Sequence, residues 1–355
     1  MQYSFKRQTQ YKEFQQFLDI KPHKLLQPSQ TRWLSLISVV KRVLEQYEAL
    51  KLYFQNESFN QIDASESIHN NLQNPMNKYY LEFLEYVLPV FTDLNKEFQS
   101  ESPKIYAIYD RMLAVYKTIL SCYINNTYLS KTDVTTLQYR NPEHYVLLNE
   151  VYCGPKAAIL FQENTLSDGD KHNFQLTCLG FYVEAAHQLY KRFPFNAEDV
   201  KTLKLFKFLN PKLIKTTSSL GPAANFYRKD IDLLSLEREW RLLQNSDFNE
   251  DAADYISFWK NICNQIRCDN TAVYPELSKF VNLVLTLPHS SASVERIFSA
   301  VSLNKSKIRN RLSATTLTGI LHSKRLINSD NKSCFDYKIP VTVTNKHNNN
   351  MYSSE

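Results

Sequence analysis

The chain has 355 residues, of which 43% are hydrophobic and 22% are charged, as in an ordinary globular protein. Its 42 basic and 36 acidic residues give a net charge of +6, which permits a nucleic-acid partner without requiring one. No apolar run approaches the roughly 20 residues of a membrane helix, and the polar segment Met1–Ile20 lacks the apolar stretch of a secretory signal. Only 5 glycines are present, which argues against a hairpin-rich β fold and against a glycine-rich nucleotide cradle.

Hydrophobic spacing predicts helices through most of the N-terminal third. The first covers Ser4–Leu18, and the proline-containing segment Lys21–Gln30 follows it as an extended connector. Thr31 can cap the next helix, whose apolar residues form one continuous stripe as far as Phe54. The polar segment Gln55–Asn77 is rich in Asn, Ser and Gln, and it is therefore predicted to be a loop with at most one short turn of helix.

Two aromatic-rich helices come next in the chain. One spans Asn77–Phe98 and should bend at Pro89, and the other covers Ile105–Leu120. Asn210–Tyr227 is predicted to be a long loop, and Asn328–Glu355 a disordered tail, because it is rich in Asn, Ser and Lys without apolar periodicity. Further helices are predicted over His172–Arg192, Asp230–Leu243, Ala252–Arg267, Glu276–Leu287, Ser291–Leu303 and Ser313–Asn328.

The last two of these helices carry the most specific pattern in the sequence. The apolar seam of the first helix consists of Val294, Ile297, Phe298 and Val301, spaced i, i+3, i+4 and i+7. The seam of the second helix consists of Leu317, Ile320, Leu321 and Ile327. Ser290 is the predicted cap of the first helix. Because helices this short are marginal alone, both seams must be buried against another part of the chain or against another chain.

No acidic residue occurs between Arg296 and Ser329. The basic residues of this stretch are Lys305, Lys307, Arg309, Arg311, Lys324 and Arg325. One interpretation is electrostatic contact with phosphates. The other is a solvated basic loop, which charge alone favours.

Four stretches resemble the hAT superfamily of DNA transposases or cellular genes descended from it. L-P-H-S-S-A-S-V-E-R-I-F-S, which begins at Leu287, and N-R-L-S, which begins at Asn310, are similar to the family's C-terminal dimerisation region. T-R-W-L-S-L, which begins at Thr31, is similar to its R-W motif. E-R-E-W-R-L-L, which ends at Leu243, resembles cellular genes descended from these transposases. The resemblance extends from Thr31 to about Ile327.

The resemblance implies an RNase H-like core in which two aspartates and a glutamate hold two divalent metals, interrupted by a long helical insertion. Glu295 would match the glutamate, and Arg32 and Trp33 would match the R-W pair, whose tryptophan stacks near the DNA end in that family. The helical spacing along the chain predicts a mainly α fold class. Its parts are an N-terminal helix and connector at 1–30, a helical insertion-type domain at 31–274, a dimerisation region with the C-terminal helices of an incomplete RNase H-like core at 275–327, and a tail at 328–355.

The sequence departs from the family pattern before the R-W pair. The family's two metal-binding aspartates lie there, whereas Asp19 is the only aspartate in this stretch. A lone carboxylate cannot hold two Mg²⁺ ions, so we expect no catalysis, no bound metal and no cofactor. Glu295 could then be a surface residue in an ion pair, and Trp33 a core residue. The alternative is a transposase or nuclease fragment whose two aspartates lie outside this chain.

The sequence therefore predicts a non-catalytic protein, derived from a hAT transposase, that associates with a second copy or a related protein. Neither the six cysteines nor the eight histidines show a metal-binding spacing, which indicates reduced thiols in an intracellular protein. The nucleus is the expected location and the cytoplasm the alternative. DNA contact is a further expectation, and neither a membrane nor a small-molecule substrate is expected. The candidate DNA-binding residues are Arg32, Trp33, Lys305, Lys307, Arg309 and Arg311; those for dimerisation are Val294, Ile297, Phe298, Val301, Leu317, Ile320 and Leu321.

Overall fold

A computed structural model describes residues 5–27, 34–58, 63–99, 104–162, 166–252, 254–288, 290–306, 308–329 and 332–346. These residues form seventeen α-helices and five 3₁₀ helices and contain no β-strand, so the prediction of a mainly α fold is confirmed. The chain divides into two compact units, Met1–His289 and Ser290–Glu355. None of the described helices is long and apolar enough to cross a lipid bilayer.

The first unit contains helices α1 to α14. Their bounds are α1 Phe5–Phe17, α2 Leu34–Glu45, α3 Tyr47–Ser58, α4 Asp63–Gln73, α5 Pro75–Phe98, α6 Ile108–Leu120, α7 Asn126–Lys131, α8 Pro155–Gln162, α9 Asp168–Arg192, α10 Glu198–Leu205, α11 Gly221–Ala224, α12 Leu233–Gln244, α13 Tyr255–Cys263 and α14 Pro275–Leu285. The 3₁₀ helices are Pro142–His144, Leu148–Glu150, Phe206–Leu209, Pro211–Leu213 and Asn225–Tyr227. The second unit contains α15 Ala292–Asn304, α16 Ala314–Ser329 and α17 Val341–Thr344.

The apolar stripe predicted to run unbroken to Phe54 is divided between α2 and α3 at Gln46. Gln46 is fully buried, and its Oε1 accepts hydrogen bonds from Tyr11 Oη at 3.2 Å and from Gln15 Nε2 at 2.6 Å. Its Nε2 donates to the Lys21 carbonyl at 3.0 Å. Because a buried amide must be paired, Gln46 fixes α1 and the connector that follows it against the α2–α3 junction.

The prediction of a loop over Gln55–Asn77 is wrong, because α4 occupies much of this segment. Helix α4 has only three apolar residues, Ala64, Ile68 and Leu72, which recur every four residues but are outnumbered by polar ones. Tertiary contacts stabilise it instead: Leu72 packs against the small core around Tyr53, and Tyr47 Oη donates to the Leu72 carbonyl at 3.0 Å. Local sequence therefore underestimates a helix whose stability comes from packing.

Two larger cores contain most of the buried aromatic residues of the first unit. One lies among α5, α6 and α9 and contains fully buried Tyr116, Phe174 and Tyr182. The other lies among α12, α13, α14 and the segment before them, and it contains Trp240 and Trp259. The predicted helices over these segments are confirmed to within a few residues, except that Ala252–Arg267 is helical only over α13.

The segment predicted to be a tail is described in part. It contains the short helix α17, and the described residues between 332 and 346 are exposed, apart from Tyr337, which is half-buried. The residues after 346 lie outside the described part of the chain.

Candidate self-association surface

Helix α12 ties two other segments of the first unit to itself through polar side chains. The Glu239 carboxylate accepts hydrogen bonds from the Glu276 N–H at 3.3 Å and the Leu277 N–H at 2.7 Å, and so caps α14. Burial raises the pKa of Glu239, although these two backbone donors oppose the rise. Fully buried Trp240 donates from Nε1 to the Thr217 carbonyl at 3.0 Å. Helix α12 is thereby fixed to α14 and to the segment before α11.

Two further side chains of α12, those of Glu237 and Arg241, form hydrogen bonds with the segment from Ser218 to Gly221. Glu237 Oε1 accepts from the Leu220 N–H at 2.8 Å, the Gly221 N–H at 2.7 Å and Ser219 Oγ at 2.6 Å. Arg241 donates to the Ser218 carbonyl at 2.7 Å. The stretch E-R-E-W-R-L-L thus has a structural explanation that sequence spacing did not reveal. The partners of Glu237, Trp240 and Arg241 lie 16 to 23 residues earlier in the chain, and those of Glu239 lie 37 to 38 residues later.

The outer face of α12 is partly apolar. Leu234 is 70% exposed and Leu242 is 49% exposed, with exposed Arg238 midway between them along the helix. The spacing of apolar residues in the sequence did not single out Leu234 and Leu242 as a surface pair. The available signal was their position away from the buried stripe, whose members are Leu236, Glu239, Trp240 and Leu243.

The predicted seam of α15 lies largely at the surface. Val294 is 49% exposed, Ile297 53% and Phe298 64%, and only Val301 is half-buried. Val294, Ile297 and Phe298 are neighbours on one face of the helix, so their exposed surface is a candidate interaction patch, as contiguous apolar surface usually indicates.

Helix α16 contacts α15 but does not bury either seam completely. Leu317, Ile320 and Leu321 are half-buried, and no described side chain of α16 is fully buried. Across the described residues of the second unit, only Ala292 is buried. The structure therefore brings the predicted dimerisation residues together on two contacting helices and leaves much of their apolar surface accessible.

Glu295 lies in the first turn of α15 with its side chain exposed. Its Oε1 accepts a hydrogen bond from Ser291 Oγ at 2.7 Å. The predicted cap, Ser290, accepts only a long hydrogen bond of 3.4 Å from the Ala292 N–H, and Ser291 occupies the N-cap position. Over the described part of the chain, no three His, Cys, Asp or Glu residues are grouped to hold a metal.

Three of the predicted DNA-binding residues are described, and all three are exposed. Lys305 directly follows α15, and Arg309 and Arg311 lie between α15 and α16, where Ile308 is 99% exposed. The segment from Ile308 to Leu312 lines an open concavity of about 600 Å³. The other three candidates, Arg32, Trp33 and Lys307, lie outside the described residues.

Helices α12 to α15 and most of α16 fall within a single segment of family similarity. Residues 232–326 match the model of the hAT family C-terminal dimerisation region. The match begins at the N-cap residue of α12, upstream of the predicted start at Pro275, and it ends within α16. It covers about a quarter of the chain and supports the hAT resemblance there, whereas the R-W motif lies outside it. A search of curated proteins found no match.

Proposed function

We propose that this protein works by self-association through its hAT-like region, in which the seams of α15 and α16 pack against those of a second copy. One observation supports the proposal above the others. The apolar seam of α15, from Val294 to Val301, is largely exposed, and it lies inside the segment that matches a dimerisation region.

The driving force is the burial of this apolar surface. Removal of apolar area from water contributes about 25 cal/mol per Å², and a large side chain such as Phe298 contributes about 1.5–3 kcal/mol when it is fully buried. In a two-fold symmetric dimer the same patch occurs on both copies, so each side chain counts twice. Small residues on α15, such as Ser299 and Ser302, would let the partner helix approach closely.

We propose that the association is not accompanied by catalysis. Glu295 is engaged by Ser291 on an exposed helix surface, which is compatible with a structural role. The exposed Arg309 and Arg311 support a secondary contact with DNA phosphates, and a nuclear location would follow from that contact. If DNA is bound in this way, the affinity should fall steeply as the salt concentration increases.

Sedimentation equilibrium of the full chain at micromolar concentration tests the main proposal. We expect the wild-type chain to dimerise and Phe298→Asp to weaken the dimer about 100-fold or more, since two buried rings are lost and two charges are introduced. The matched control is Phe5→Asp, because Phe5 is 84% exposed and lies outside the matched segment.

Two results would contradict self-association through this region. One is a wild-type chain that remains monomeric over the whole concentration range. The other is a dimer that Phe298→Asp leaves unchanged, or that Phe5→Asp weakens to the same extent. Far-UV circular dichroism of each variant separates loss of the dimer from loss of the helical fold.

A further inference from the structure

A polar cavity of about 380 Å³ lies in the first unit, remote in sequence from the segment proposed for self-association. Four lysines line it, each from a different element: Lys117 from α6, Lys131 from α7, Lys204 from α10 and Lys207 from the 3₁₀ helix Phe206–Leu209. We call it the lysine cavity. Asp133 is the only carboxylate among its lining residues. Segments far apart in the chain thus place charges of one sign around one concave surface.

The lysines are only partly neutralised within the chain. Lys207 Nζ pairs with Asp110 Oδ1 at 2.5 Å. In the described part of the chain, no carboxylate lies within ion-pair distance of Lys117, Lys131 or Lys204. The lysine cavity therefore has ammonium groups available to an external anion.

The carboxylate of the lysine cavity is already engaged. Asp133 Oδ1 accepts hydrogen bonds from Thr135 Oγ1 at 2.6 Å and from the Thr135 N–H at 2.8 Å. These bonds, with a smaller contribution from Lys204 and Lys117, lower the pKa of Asp133 and keep it ionised at neutral pH. Four lysines against Asp133 and Asp110 leave an excess of two positive charges.

The aromatic wall of the cavity helps to hold two of the lysines in place. Tyr109 is buried, and the Nζ atoms of Lys204 and Lys207 lie 5.8 Å and 5.6 Å from the centre of its ring. Cation–π attraction at this distance favours ammonium groups that stay beside the ring. The cavity is lined in addition by Thr132, whose hydroxyl group can donate a hydrogen bond, and by Ser130, whose hydroxyl group donates to the Thr127 carbonyl at 3.1 Å.

We propose that the lysine cavity binds a phosphate group. A phosphate monoester carries about −1.5 to −2 charges at neutral pH, which matches the local excess, and lysine binds phosphate as a point charge. A cleft lined by charges of one sign also raises the local concentration of the opposite ion. The phosphate could belong to a small phosphorylated molecule or to a nucleic-acid backbone, and the experiment separates these two sources.

Titration calorimetry of the full chain with inorganic pyrophosphate tests the proposal. We expect saturable binding that the double variant Lys117→Gln, Lys204→Gln weakens about ten-fold or more, because it removes the two excess charges. The matched control is Lys229→Gln, Lys260→Gln, two exposed lysines that do not line the cavity, and it should bind pyrophosphate as the wild type does. Both double variants should sediment as the wild type, which separates this proposal from self-association.

A second arm uses a fluorescent single-stranded oligonucleotide. The phosphate is assigned to nucleic acid if pyrophosphate displaces the oligonucleotide and if the cavity variant binds both ligands more weakly than the wild type does. Binding of pyrophosphate alone would assign it to a small molecule. The proposal is overturned if the wild type binds neither ligand, or if the cavity and control variants bind equally well.

Lysine acetylation on the wild-type chain provides an independent test that needs no variant to fold. Pyrophosphate should protect Lys117, Lys131 and Lys204 from the reagent while Lys229 and Lys260 remain equally reactive. Equal modification of the two groups with and without pyrophosphate would rule out binding at the cavity.

Discussion

Helices α12–α14 and helices α15–α16 fall within the same matched segment, yet their apolar residues have opposite fates. In α12–α14 most of the large side chains, including Trp240, Trp259 and Phe280, are buried, and polar groups cap α14 and anchor the buried indoles. In α15–α16 the apolar seams are exposed or half-buried. One half of the segment is therefore built as a protein core, and the other half has the character of a surface that a partner covers.

This contrast teaches that one family match can combine two physical roles. Substitutions in α12–α14 should act on the free energy of unfolding, whereas substitutions in the seam of α15 should act on the dissociation constant of a dimer. The following predictions test that separation, beginning with the largest expected effect.

Replacement of Trp240 should have the largest effect on folding. Trp240→Ala removes a fully buried indole and leaves the Thr217 carbonyl without its donor, and we expect a loss of about 3–5 kcal/mol in the free energy of unfolding. Urea unfolding followed by circular dichroism measures the change. The matched control is Leu242→Ala on the exposed face of the same helix, for which we expect a change within about 0.5 kcal/mol.

Two outcomes would contradict the assignment of α12–α14 to a protein core with one exposed face on α12. If Trp240→Ala left the unfolding curve unchanged, the buried half would not be a core. If Leu242→Ala destabilised the chain as strongly as Trp240→Ala, the exposed face of α12 would have to be buried in solution.

Acid titration should separate two carboxylates of the α12 region by the sign of their effect. The folded-state pKa of Glu239 is raised above its ordinary value of 4.5, so the unfolded state loses this proton first as the pH rises. The stability of the wild type relative to Glu239→Gln should therefore decrease as the pH increases above 4.5. Urea unfolding of both proteins, from acidic to neutral pH, measures the difference.

Asp232, the N-cap of α12, provides the opposite control. Hydrogen bonds from Ser235 Oγ and from backbone N–H groups lower its folded-state pKa below the ordinary value of 3.8. Its contribution should be present above pH 3.8 and should be lost as the pH falls below that value. For each variant, the difference in free energy of unfolding from the wild type is plotted against pH. If the slopes for Glu239→Gln and Asp232→Asn are equal, burial of Glu239 does not govern its ionisation.

Glu295→Gln should have the smallest effect. The carboxylate is exposed and accepts one hydrogen bond from Ser291, which the amide oxygen of glutamine can also accept. We expect the free energy of unfolding to change by less than about 0.5 kcal/mol and the dissociation constant of the dimer to stay the same. A metal-dependent DNA strand cleavage by the wild type that Glu295→Gln abolishes would instead favour the transposase alternative.

Helices could be predicted from the sequence wherever apolar residues recur at helical spacing along the whole element. Apolar residues recur at helical spacing over the whole length of α5, α9 and α12, so spacing alone locates these helices. Helix α4 was missed because its stability depends on Tyr47 and on packing of Leu72, both of which are tertiary contacts. The break at Gln46 has the same origin, since its partners Tyr11 and Lys21 lie 25 to 35 residues away.

The sequence predicts which residues form the candidate surface of α15, but it does not predict that their side chains are exposed. The spacing of Val294, Ile297 and Phe298 defines one helix face whether that face is buried or not. Nothing in the local sequence distinguishes this seam from the buried one on α12, which has the same period. The roles of Glu237 and Glu239 were also out of reach, because a charged side chain that caps another helix resembles a solvated one until the fold is known.

The anchoring of the two buried tryptophans has a practical consequence for fragment design. Trp240 donates to Thr217 and Trp259 to the Leu209 carbonyl at 2.8 Å, while Phe208 stacks on Phe280 with ring centres 5.4 Å apart. A recombinant piece that starts at the first matched residue would lack Leu209, Thr217 and Phe208, and would present bare indoles to water. Such a piece should aggregate during expression, whereas one that begins ahead of α10 keeps these partners of the tryptophans.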